Sequence, residues 1–193
     1  AVNALTSFGV SGAVTFQVFD GTYTEQLSIG AINNASATAP IVFESQSGDS
    51  NNVILSFAAS STANNYTVQF NGAKFITFKN MTVKNNLRGS GIGSLVLGTE
   101  VDSNTITSGG NYTSYIYNVS GLKFRGNIVY KTGAGNFNYG LYIYYAMNGC
   151  QFIGNKITAK FPNATGYIVY ATMPAKNNLS TFYTYAYAIP RDS

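Results

Sequence analysis

The sequence has no histidine and no tryptophan, a single cysteine and few charges, acids and bases together making up 9% of its 193 residues. Each shortage removes a class of function. Without histidine there is no Ser-His or Cys-His pair, no imidazole base and no histidine-ligated metal. One cysteine allows no internal disulfide, and Cys150 occupies an apolar position where it reads as a small core residue. The net charge of +4 is scattered, with no cluster of Lys or Arg able to follow a phosphate backbone, so no nucleic-acid partner is expected. No run of about 18 apolar residues is present, which excludes direct membrane insertion by a helix. No motif asks for a metal or a cofactor. Gly109-Gly110 and Gly133-Ala134-Gly135 lack the Lys-Ser/Thr and the following helix of a phosphate loop.

What is present is the material of β-structure. Hydrophobic residues make up 45%, and Gly, Ser, Thr and Asn are frequent. Solubility therefore rests on amides and hydroxyls rather than charge. An anchor recurs every 23 residues, at Phe78, Val101 and Phe124, and again after 28 at Phe152. Two residues before it stand Ile76, Thr99, Leu122 and Cys150; five after it stand Val83, Ile106, Val129 and Ile157. Three after it come Met81, Asn104, Asn127 and Asn155. Two short β-runs around a polar turn, repeated at this length, predict a coil of parallel strands stacked rung on rung. Seven to eight rungs would make a rod about 40 Å long. Asn tolerates the left-handed backbone of a sharp corner and can bond to its counterparts above and below, so the Asn column is expected to be a structural ladder.

Around the repeat the chain reads as one domain, 1–193, with no change of composition dividing it. Ala1 to Gly9 is expected to be a short capping helix with Val2, Leu5 and Phe8 on one face and Gly9 as its stop. Further strands are expected at Val14 to Phe19, Ile41 to Phe43, Val53 to Phe57, Tyr66 to Phe70, Tyr167 to Tyr170 and Thr181 to Ile189. The longer last interval places an insertion at 133–138, expected as a loop bulging from one corner. No secretory leader is visible in the sequence, so a mature or trimmed product is expected, and no cap is recognisable at Pro190 to Ser193. The expectation is a segment of a longer protein, or one that meets a partner at its open end.

Several segments in order, Gly21-Thr22-Tyr23-Thr24-Glu25-Gln26, Ala39 to Ser45, Ser47-Gly48-Asp49 and Gly72 to Asn80, resemble the right-handed parallel β-helix modules of large secreted and cell-surface proteins of Bacteroidota. That resemblance implies an all-β, right-handed parallel β-helix (solenoid) fold, an extracellular or cell-surface location, and frequent membership of long exported chains. It implies no single activity. The Gly21, Tyr23, Glu25 pattern is also similar to the first signature of pectin methylesterases, but the later signatures that carry their catalytic acids have no counterpart here. The Gly-His-Gly of polygalacturonases is excluded by the missing histidine.

Two groups of side chains invite a functional reading. In-register stacking would align Lys79, Asp102 and Arg125 in one outward column, with Thr77, Glu100, Lys123 and Gln151 beside it. Pectate and alginate lyases place acids and bases on an exposed sheet in a similar way, so Lys79, Asp102 and Arg125 are the catalytic candidates. The plainer reading, preferred, is a surface ion-pair ladder. The second group is the tyrosines: Tyr115, Tyr117, Tyr142 and Tyr144 as ligand-binding candidates, with Tyr145, Tyr167, Tyr170, Tyr183, Tyr185 and Tyr187 beyond. Outward rings could pack on sugars or another protein, or simply suit a β-surface, which is preferred. Asn-X-Ser/Thr triplets such as Asn34, Asn80 and Asn118 acquire meaning only in a glycosylating host. The regular Thr ladder of an ice- or crystal-binding face is broken by Leu122. The function expected is thus a non-catalytic structural or adhesive segment, with a carbohydrate-active module, a polysaccharide lyase or glycan binder, as the alternative. The partners expected are a polysaccharide, other surface proteins or an export-system component.

Overall fold

The computed structural model describes residues 1–58, 66–84, 87–89, 100–108, 112–131, 138–147, 149–160, 166–172 and 181–189. Thr99 and all but the last residue of the 133–138 insertion lie outside them. One short helix, α1 (Val2–Phe8), opens the chain. Strands β1 (Val14–Val18), β2 (Gly21–Thr24), β3 (Leu27–Ile29), β4 (Ile41–Ser45), β5 (Val53–Ser56) and β6 (Val68–Phe70) follow. Next come β7 (Ile76–Lys79), β8 (Thr82–Lys84), β9 (Leu87–Gly89), β10 (Glu100–Asp102), β11 (Thr105–Ser108) and β12 (Tyr112–Ser120). The last are β13 (Lys123–Arg125), β14 (Ile128–Lys131), β15 (Asn138–Met147), β16 (Gln151–Lys160), β17 (Gly166–Thr172) and β18 (Thr181–Ile189).

These strands form two sheets, of twelve and six strands, neither closed into a barrel, and all pairs between them are parallel. Through β15, each strand pairs with the one three places on: β1-β4-β7-β10-β13, β2-β5-β8-β11-β14 and β3-β6-β9-β12-β15. The first two columns merge at β16, which pairs with β13 through its first half and β14 through its second, and β18 lies along β16. The register follows the sequence repeat: Phe78 pairs with Val101, Val101 with Phe124 and Phe124 with Phe152. It also extends the column backward to Phe43 and Phe16 and forward to Phe182, seven strands deep.

Alternation along each strand turns one set of side chains inward. Phe78, Phe124 and Phe152 are almost wholly buried, as are Val83, Ile106, Val129 and Ile157 from the second column and Ile29, Phe70, Ile116 and Ile143 from the third. Cys150 is buried in this core. Truncating one such phenylalanine to alanine costs about 3–5 kcal/mol in comparable cores.

The Asn ladder is present, with each rung bonded to the next. Asn104 Nδ2 donates to the Phe78 carbonyl (2.8 Å), Asn127 Nδ2 to that of Val101 (2.9 Å) and Asn155 Nδ2 to that of Phe124 (2.9 Å). The backbone N–H groups of Met81, Asn104 and Asn127 each donate at 3.0 Å to the side-chain oxygen of the asparagine one layer on. All three asparagines are buried. The left-handed corner expected at the asparagine lies one residue earlier, at Asn80, Ser103, Gly126 and Gly154, with φ of 57°, 55°, 60° and 66°. The reason is steric and chemical together. The preceding residue reverses the chain, and the asparagine then faces inward, where its amide meets the backbone of both neighbouring layers.

At the amino-terminal end α1 buries Leu5, and Gly9 ends the helix with φ 70°. Phe8, expected on the inner face, is 85% exposed. Steps of three residues drift backward by about 60° each on an α-helix, so the two steps from Val2 to Phe8 turn about 120° and do not keep one face. Among the described residues no helix is long and apolar enough to cross a membrane.

Candidate functional site

The charged column forms as the repeat implies, but its pairing is different. Strand register places Lys79 beside Asp102 and Asp102 beside Arg125, while Glu100 lies between Thr77 and Lys123. Lys79 turns away from Asp102 toward Glu44 on β4, which precedes the clear repeat, and meets it at 2.7 Å. Arg125 reaches diagonally to Glu100 and also contacts Asp102 at 3.8 Å. Lys123 adds a weaker contact to Glu100 at 3.9 Å, and Ser103 Oγ donates to Asp102. Every acid in the two columns thus has a basic neighbour. Among the described residues, no three His, Cys, Asp or Glu side chains gather as a metal site would require.

The tyrosines lie on the outer face of the third column, positioned by β12, β15 and β17. Tyr115 stacks on Tyr142 (5.2 Å between ring centres, 2° between planes), Tyr142 on Tyr170 (5.0 Å, 8°) and Tyr117 on Tyr144 (5.4 Å, 4°). Rings lying flat and side by side on the sheet would need a wider spacing than this. The rings therefore stand upright and cover each other's faces along the column, presenting edges outward. Tyr139, which strict alternation would put on the opposite side from Tyr142, joins the array. It stacks on Tyr167 at 5.6 Å and meets Tyr142 edge-on at 5.1 Å.

Gly140 makes this placement possible. Gly140 and Leu141 are both buried, so two successive residues turn inward and shift the phase. A Cβ at Gly140 would fall 2.6 Å from the Ile168 carbonyl oxygen and 2.8 Å from Ile157 Cγ2. The exposed Tyr167 ends one column, while Tyr183 and Tyr185 on β18 join hydroxyls at 2.9 Å. The side chains of Tyr145 and Tyr187 lie outside the described residues.

Two features were not among those expected from the sequence. Lys131, the last residue of β14, is buried, and desolvation lowers its pKa from 10.5 to about 8. The other is a cavity of about 480 Å³ beside α1, lined by residues from the first three layers. Comparison with known protein families, curated proteins and solved structures finds no match to this chain.

Proposed function

We propose that this chain is a right-handed parallel β-helix of seven layers, acting as a non-catalytic structural or adhesive segment of a secreted or cell-surface protein. The observation that carries the reading is how the polar and aromatic groups are engaged. Lys79 is held by Glu44, Arg125 by Glu100 and Asp102, and tyrosine faces by tyrosine faces. An abstracting base needs an open approach to its substrate, and sugar stacking needs an open ring face. Here both are turned along the axis toward the next layer. The likeness of Gly21 to Gln26 and Gly72 to Asn80 to Bacteroidota surface modules supports an extracellular setting, with surface proteins, a polysaccharide or an export component as partner.

A carbohydrate-active module is the second reading, favoured by the exposed Tyr167 at the end of its stack. The two readings separate in one experiment. The chain is incubated with pectate and alginate, and its binding is compared with that of Lys79→Ala, Arg125→Ala and Tyr167→Ala. The structural reading expects no unsaturated sugar product and no change of binding among the variants. Product formation lost in Arg125→Ala, or binding lost in Tyr167→Ala, would replace it with the second.

A further inference from the structure

We propose that the cavity beside α1 is a binding site for a small, uncharged aromatic molecule carrying one hydrogen-bond donor. Phe16, Phe43 and Phe78, from three successive layers, contribute to its lining, with Val18, Leu27 and Met81 among its other apolar residues. Phe16 and Phe43 are already stacked at 4.9 Å and 12°, and Phe78 lies 6.5 Å from Phe43. A flat ring entering the space would continue this arrangement, with Met81 supplying a polarizable thioether edge.

The helix does not fill the space. Leu5 is the helix residue that is buried, and Phe8, its largest side chain, points to solvent. A volume of about 480 Å³ falls within the range of sites for small organic molecules.

The mouth sets the polarity of the ligand. Among the described residues of the lining, Glu25 bears the only charged side chain, with the Ala1 backbone also at the site. It offers an acceptor to an N–H or O–H and repels a carboxylate, sulfonate or phosphate. Tyr23 and Gln26 beside it donate to the Phe19 and Tyr66 carbonyls, at 2.8 and 2.9 Å.

The test uses the 193-residue chain, N-acetylated so that the amino group of Ala1 does not contribute. Its probes are N-phenyl-1-naphthylamine, neutral with one N–H, and the 8-sulfonate of the same skeleton. The amine is expected to bind one per chain with enhanced fluorescence. Val18→Phe and Leu27→Phe, which fill the space, are expected to weaken it by about tenfold or more at unchanged circular dichroism. The sulfonate is expected to bind more weakly than the amine, and Glu25→Gln to narrow that gap by about threefold. Should the filling variants lose their fold, Glu25→Gln, at an exposed position, still decides. Undiminished binding in folded Val18→Phe, loss of binding in Phe182→Asn at the opposite end, or an unchanged gap in Glu25→Gln would each overturn the proposal.

Discussion

Replacing Asn127 with alanine tests the ladder where it is most completely bonded. The side-chain oxygen accepts from the backbone N–H of Asn104 at 3.0 Å, and the amide donates to the Val101 carbonyl at 2.9 Å and to Asn155 Oδ1 at 3.1 Å. Alanine removes these three bonds and a fourth, longer one from Asn104 Nδ2 at 3.3 Å, and strands the buried Asn104 N–H. An unsatisfied buried group costs about 1–3 kcal/mol and each of the two good bonds donated by the amide about 1 kcal/mol, so the loss is about 4 kcal/mol, a large share of the stability of an ordinary domain. Thr184 occupies the same column at the open end with contacts of 3.4 Å, part-buried, and Thr184→Val is expected to cost under about 1 kcal/mol. Urea denaturation followed by circular dichroism measures both through the midpoint at constant slope. If Asn127→Ala loses no more than Thr184→Val, the ladder is incidental to stability and the argument for it fails.

Gly140→Ala should destabilise by about 2–3 kcal/mol, since its methyl group meets a backbone carbonyl that has no rotamer to yield; near-UV circular dichroism of the tyrosines would change with it. Lys131 gives a pH dependence. Its native pKa of about 8 lies below the ordinary 10.5, so between these values the unfolded chain keeps a proton that the folded chain has released, and stability rises with pH. The gain from pH 7 to 9 is about 1 kcal/mol, and Lys131→Met should abolish that slope in urea midpoints taken across the interval. Arg125→Met should cost about 1 kcal/mol or less, because its ion pairs are partly solvated, and the difference should shrink in about 1 M salt. A larger, salt-independent loss would mean that the column does more than neutralise itself.

The middle of the fold was legible because Phe78, Val101 and Phe124 recur at a fixed interval and pair in the register that interval demands. The first layers were not, because the segments following β4 and β5 vary in length and separate Phe16, Phe43 and Phe78 unequally, although the three stack in one column. Glu44 was missed for that reason, and with it the partner of Lys79. The corner was misplaced by one residue: Asn80, Ser103, Gly126 and Gly154 share no side chain, only a backbone angle, and composition does not display that. Tyr139 escaped because alternation assumes an unbroken phase, and Gly140 with Leu141 breaks it. Lys131 lies two residues after Val129 on the inward side of β14, where alternation places it and only its charge argues against burial. The cavity is a property of how α1 sits, which no repeat encodes.

The upright stacking of the tyrosines has an optical consequence. With no tryptophan in the chain, its ultraviolet signature belongs to tyrosine. Rings held parallel at 5.0–5.4 Å couple their transitions and pass excitation among themselves. Such an assembly should give a strong near-ultraviolet dichroic band and quenched emission, both of which disappear when β12, β15 and β17 separate. The two tyrosines of the amino-terminal layers, Tyr23 and Tyr66, stand outside it. The carboxy-terminal half therefore carries an intrinsic spectroscopic gauge of its own unravelling, readable without any added label.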